Sequence, residues 1–98
     1  MKTEFLVVFE VDKKGVGAFA PDIPGCFAVG PTVDETRRRY LEAVESHLKW
    51  LAKDHDPIPQ PATTTVDFSK SAGETTSRYY VEWLSIPMPA EKYQAISV

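Results

Sequence analysis

Between residues 20 and 32 the chain reads APDIPGCFAVGPT, with three prolines, two glycines, one aspartate and the only cysteine of a 98-residue sequence. Pro21 and Pro24 have no amide hydrogen to donate. They also push Ala20 and Ile23 toward extended angles, so no strand ladder can run through residues 21–24. Gly25 supplies a positive φ where a turn demands one. The stretch is therefore a corner that ends one strand and starts another.

The segments on either side take their shape from that break. From Glu4 to Val11 the residues alternate, with Phe5, Val7, Phe9 and Val11 on one face and Leu6 and Val8 on the other, as in a strand with two partly covered faces. Asp12-Lys13-Lys14-Gly15 has the chemistry of a hairpin turn into a second strand, Val16–Ala20. Within that strand Gly17 reads as structural, marking a bulge or a close backbone approach. Cys26–Gly30 forms a third short strand, which Pro31 ends.

Thr32-Val33-Asp34-Glu35 is a capping-box pattern, in which Thr32 accepts from the third helical amide and Glu35 reaches back. The helical period then runs to about Lys53. It gathers Val33, Tyr40, Val44, His47, Leu48 and Leu51 on one side, opposite Glu35, Arg38, Glu42, Glu45, Lys49 and Lys53. Acid-first pairs four apart (Asp34 to Arg38, Glu35 to Arg39, Glu45 to Lys49) need no ligand to explain them. Pro57–Pro61 is a stiff connector and Thr63–Phe68 has weak strand character. Residues 69–77 read as a mobile loop, and Tyr79–Ile86 is an aromatic-rich strand closed by Pro87. Residues 90–98 have room for one helical turn or more.

The expected fold is α+β, a two-layer β-β-β-α-β unit in a single domain spanning residues 1–98, with one helix across one face of a small antiparallel sheet. A chain of this size buries roughly 60 to 70% of its unfolded surface, enough for one modest core. One helix covers one face only, so the apolar residues of the other face, Leu6 and Val8 among them, predict a homo-oligomer, a dimer or tetramer.

Composition narrows the function. Eleven Lys and Arg against fourteen Asp and Glu give a net charge of −3, which argues against nonspecific nucleic-acid binding. The longest apolar run, Phe5–Phe9, is far short of a membrane span and fails as a signal-peptide core, so a cytoplasmic address is expected.

No cofactor is called for. Cys26 as a nucleophile would need a base, yet His47 lies on the apolar side of the helix and His55 at its end. Asp54-His55-Asp56 lacks the further ligands of a metal site and reads as a helix terminus. Arg37-Arg38-Arg39 diverge by 100° per residue and form no single patch. Arg37 alone projects toward the apolar side, where either its stem packs and its head reaches solvent, or its head meets a partner's carboxylate. Asp22 either caps amides or receives a partner's basic group.

Taken together, Gly15, Ala18, Pro21-Asp22, Pro24-Gly25-Cys26 and Gly30 ahead of the Thr32 and Glu35 helix start, followed by Glu42-Ala43 and Pro57-Ile58-Pro59, resemble the HicB-like family of small antitoxin domains over residues 4–61. The resemblance implies a double-stranded-RNA-binding-like fold and a non-enzymatic protein that binds and sterically blocks a small HicA-like ribonuclease toxin. It makes Gly15, Gly17, Pro21, Pro24, Gly25, Cys26, Gly30, Thr32 and Glu35 the structural motif, and Asp22, Arg37 and Tyr40 the partner-binding candidates. The helix departs from the family's small or aliphatic core positions with Thr36, Arg37 and Tyr40. Members commonly add a DNA-binding module, but residues 87–98 are too few for one, so operator binding is not expected of this chain alone. The competing expectation is a stand-alone oligomeric binding domain with another ligand, RNA being the one its fold suggests.

Overall fold

The computed structural model describes residues 2–66 and 76–89. Strand β1 (Lys2–Asp12) forms the spine of a four-stranded antiparallel sheet, because its unbroken run Phe5–Phe9 is apolar on both faces. It turns into β2 (Gly15–Phe19) through a hairpin in which the Asp12 carboxylate accepts from the amides of Lys14 (2.7 Å) and Gly15 (3.1 Å). After the proline corner comes β3 (Phe27–Gly30), then helix α1 (Val33–Lys53), then β4 (Thr76–Pro87). The sheet order is β3-β2-β1-β4.

Helix α1 starts where the sequence indicates. The Thr32 side chain accepts from the Glu35 amide at 3.1 Å. The return half of the capping box is not made, since the Glu35 carboxylate instead takes Arg38 and Arg39. Arg38 also reaches Glu42 at 2.6 Å, and Asp34 pairs with Arg37 at 2.7 Å rather than with Arg38.

The buried seam of the helix is Thr36, Tyr40, Val44, Leu48 and Ala52, a strict four-residue row. It packs on Phe5, Val7, Phe9, Val16, Ala18, Ala28, Leu84 and Ile86 of the sheet, with Ala20, Ile23 and Cys26 of the corner closing the core. Each large side chain taken fully out of water there contributes about 1.5–3 kcal/mol. His47, Val33 and Leu51 lie beside this seam, half-buried, rather than in it. Thr36 is the polar member that the periodicity passes over. Its hydroxyl donates to the Thr32 carbonyl at 2.7 Å, so it enters the core with its proton satisfied.

Two glycines of the motif are there for close approach. A Cβ on Gly30 would stand 2.6 Å from Thr36 Oγ1 and 3.2 Å from the Thr36 amide. Gly15 has φ +147°, and a Cβ there would stand 2.7 Å from the Gly30 carbonyl oxygen. The hairpin end, β3 and the first turn of α1 are thus stacked backbone on backbone. Gly25 takes the positive φ, +82°, that the corner requires. Gly17 differs from expectation: its ladder with β1 is regular, and a Cβ would meet only the Ala28 carbonyl oxygen at 3.9 Å, so neither a bulge nor a close approach explains it.

The helix ends in a Schellman closure. The amide of His55 donates to the Ala52 carbonyl (3.1 Å) and that of Asp56 to the Leu51 carbonyl (2.8 Å), with His55 at φ 60°. Residues 57–66 have neither helix nor strand, so Thr63–Val66 do not form the weak strand that their composition suggests. Asp67, Phe68, the expected loop 69–75 and the expected turn in 90–98 lie outside the described residues, and Thr76 and Ser77 already belong to β4. No described helix is long and apolar enough to cross a membrane.

Candidate interaction site

Because side chains alternate along a strand, the register assigns each residue of the sheet to a face. Phe5 pairs with Leu84 on the helix side, whereas Leu6 pairs with Trp83 and Val8 with Val81 on the other. Val8 also pairs with Phe19, which pairs with Phe27, while Gly17 pairs with Val29. The open face therefore carries Leu6, Val8, Phe19, Phe27, Val29, Val81 and Trp83 in one contiguous apolar field. Leu6 and Val8 on the central strand are buried, whereas Phe27 is 71% exposed, Val29 62%, Trp83 47% and Val81 37%. A field of this kind, spanning all four strands with no described helix or strand laid over it, has the character of an interaction surface.

Its border is charged, with Lys2 on the same face of β1 as the acids. Glu4, Glu10 and Asp12 alternate onto the same face as Leu6 and Val8. At one end Glu10 and Asp12 join Lys14, Gly17, Val29 and Arg39 around a cleft of about 550 Å³. Gly17 is one of the residues that line this cleft.

The three side chains singled out as partner contacts are engaged inside the chain. Tyr40 is wholly buried in the core. Burial, with the Cys26 sulfur beside it, raises its phenol far above the ordinary value, and the Ala20 backbone offsets part of this. Its place in the seam leaves it nothing to offer a partner.

Arg37 takes neither course expected of it, since its head meets a carboxylate of its own chain. Nε (2.9 Å) and Nη2 (2.7 Å) both donate to Glu82 Oε1, and Nη1 donates to Asp34. The hydrogen bonds to Glu82 and then Asp34 hold the guanidinium proton far more firmly than in water, and the group lies 5.7 Å from the Phe9 ring centre.

Asp22 does cap amides, but distant ones. Its carboxylate accepts from the amides of Ala62 and Thr63 and from the Thr63 hydroxyl, each at 2.7 Å, which pins the chain after the proline connector to the corner. Burial pushes its carboxyl up, but the bonds from Thr63 and Ala62 outweigh that and hold it below its ordinary value.

Cys26 is buried, and burial pushes its thiol up, the opposite of what a nucleophile needs. Among the described residues no group of His, Cys, Asp and Glu is arranged to hold a metal ion.

The family model for the HicB-like antitoxin of bacterial toxin–antitoxin systems matches residues 5–86. The chain belongs to the HicB-like antitoxin family. Among curated proteins it is 30% identical over 54 residues to an uncharacterized 14.9 kDa protein of Haemophilus phage HP1, covering 55% of this chain and 41% of that one. It is 35% identical over 46 residues to a UPF0150 protein of Synechocystis, covering 47% of this chain and 58% of that one. The chain thus spans about half the length of these relatives.

Solved structures share the family's fold. The N-terminal domain of the Burkholderia pseudomallei antitoxin HicB superposes with a TM-score of 0.64 at 20% identity, covering 88% of this chain and all of that one. A chain of the HicA3 and HicB3 toxin–antitoxin complex gives 0.61 at 21% identity, covering 87% and 99%. The four-stranded sheet and single helix are therefore the architecture of the family's N-terminal domain. Membership in an antitoxin family suggests a regulatory rather than an enzymatic role.

Phe27, Val29, Val81 and Trp83 are functional candidates that composition and periodicity alone do not single out. The signal was present: odd-numbered residues of Tyr79–Ile86 face away from Leu84 and Ile86, so Val81 and Trp83 had to join Leu6 and Val8.

Proposed function

We propose that this chain is the antitoxin half of a toxin–antitoxin pair, and that it neutralises a small HicA-type ribonuclease by lying over the surface with which that enzyme holds RNA. Inhibition is steric and asks no chemistry of the antitoxin. The observation that carries this reading is the open sheet face, an apolar field bordered by Glu4, Glu10 and Asp12 on a chain of net charge −3. A ribonuclease that binds phosphates presents a cationic surface. The net negative charge of the chain, with Glu4, Glu10 and Asp12 on this face, favours such a surface, while the apolar centre supplies the area whose burial holds it. Family membership supports the same reading, and the HicA3 and HicB3 complex is an instance of such a pair among proteins of this fold.

The test is co-expression of this chain with the product of the adjacent gene. Expected are growth arrest by the neighbour alone, recovery on co-expression, and co-purification of the two. Arrest that persists with both proteins soluble and unassociated overturns the proposal.

A further inference from the structure

In the cross-strand row Val29–Gly17–Glu10 of the open face, the middle position carries no side chain. Two strand spacings, about 10 Å, separate the outer members, so a slot one strand wide lies between Val29 and Glu10, both of which line the cleft. Nothing in the fold asks for a glycine there. Gly17 is not among the glycines at positive φ, its ladders to β1 and β3 are regular, and a Cβ would meet only the Ala28 carbonyl oxygen at 3.9 Å. Glycine inside a strand weakens it, so a position left bare without a need in the fold points to something that enters from outside.

The walls of the slot define the chemistry that fits. On the β1 side stands the partly exposed Glu10 carboxylate, which makes no hydrogen bond or ion pair to a described residue. Asp12, two residues along on the same face, engages Oδ1 with the amides of Lys14 and Gly15 and adds a second negative charge. On the β3 side stand Val29 and Arg39, whose guanidinium is already answered by Glu35 and by the Val29 carbonyl, each at 3.0 Å. Two carboxylates therefore stand against Lys14 alone around this cleft.

We infer that the slot over Gly17 receives one arginine side chain of the partner protein, its aliphatic stem lying on the Gly17 backbone against Val29 and its guanidinium meeting the Glu10 carboxylate. Arginine suits the slot better than lysine, because its flat head enters between two rows of side chains and donates two parallel hydrogen bonds to one carboxylate. The inference rests on the proposed function only for the partner's identity. A surface that holds RNA phosphates is built with arginine and lysine, and the slot takes one of those side chains away from the RNA.

Titration of the isotope-labelled full chain with N-acetyl-arginine-N-methylamide, followed through the amide resonances, tests the chemistry without any partner. Expected are saturating shifts at Glu10, Gly17 and Val29 with a dissociation constant of about 1–20 millimolar, and none with the citrulline analogue, which has the same shape without the charge. Gly17→Thr, a branched residue that strands favour, fills the slot and is expected to abolish the shifts while the protein melts no lower than wild type. Glu10→Gln is expected to abolish them as well. Where the product of the adjacent gene binds the chain, Gly17→Thr is expected to weaken that binding at least tenfold. No shifts at about 50 millimolar, equal shifts with the citrulline analogue, or shifts that persist in Gly17→Thr overturn the inference. Failure of the adjacent gene product to bind at all overturns the proposed function instead, and the titration with the arginine analogue still decides the slot.

Discussion

Arg37 of α1 and Glu82 of β4 are joined by two hydrogen bonds, of 2.9 and 2.7 Å, across 45 residues of sequence. The pair ties the helix to the outermost strand, which pairs only with β1 in the described sheet. Both side chains are about three-quarters buried, so the contact is worth more than a surface ion pair yet stays within reach of salt screening. Glu82→Gln is expected to lower stability by about 1–2 kcal/mol, with only part of the difference from wild type gone at 1 M salt. Chemical denaturation at low and high salt measures it.

The Asp22 carboxylate accepts three hydrogen bonds from Ala62 and Thr63, and its depressed carboxyl pKa sets the sign of a pH effect. A group whose folded pKa lies below its unfolded one contributes stability in full above the unfolded value, about 3.9, and loses it as pH falls through the lower folded value. Hydrogen exchange at the Ala62 and Thr63 amides is therefore expected to remain protected at pH 5 and to open in acid before the core does. Asp22→Ala is expected to accelerate exchange at these two amides at neutral pH by at least tenfold, with a stability loss of about 1.5–3 kcal/mol.

Gly30 and Gly17 separate packing from surface. Gly30→Ala must push the first turn of α1 away from β3 and is expected to cost about 1–3 kcal/mol. Adding Thr36→Ala removes the nearest obstacle but not the backbone behind it, so the double variant should be less destabilised than the sum of the singles. Gly17→Ala meets only an ordinary contact and is expected to melt at or slightly above the wild-type temperature.

His55 holds a left-handed conformation, φ 60°, with a side chain attached. His55→Gly is expected to raise stability by about 0.5–1 kcal/mol by removing that strain at the helix end. Thermal denaturation of the two proteins decides it.

Much of this fold is legible in the sequence, because its constraints are local. Pro21, Pro24 and Gly25 force the corner, Thr32 starts the helix, and the period from Val33 to Lys53 needs no tertiary information. The relationships between distant segments were hidden. Nothing near Asp22 in sequence announces Ala62 and Thr63, and a lone Arg37 does not name Glu82 as its carboxylate. Tyr40 as a partner contact fails for a related reason: on one periodic face, a surface anchor and the centre of the core look alike until the sheet is laid against the helix. Gly30 became a contact to Thr36 only once the hairpin, β3 and α1 were stacked.

The claim on which the functional account rests is that the open sheet face, and not the helix, meets the partner. Trp83 on that face and Trp50 on α1 are both exposed, so each can be made charged with little loss to the core. On the proposed function, the affinity of the chain for a HicA-type ribonuclease partner, measured by calorimetry, is expected to fall by about thirtyfold or more for Trp83→Asp, as loss of an aromatic anchor does. For Trp50→Asp it should stay within about threefold, a change of well under 1 kcal/mol. Unchanged affinity in a natively folded Trp83→Asp variant, together with loss of binding in Trp50→Asp, would contradict the account.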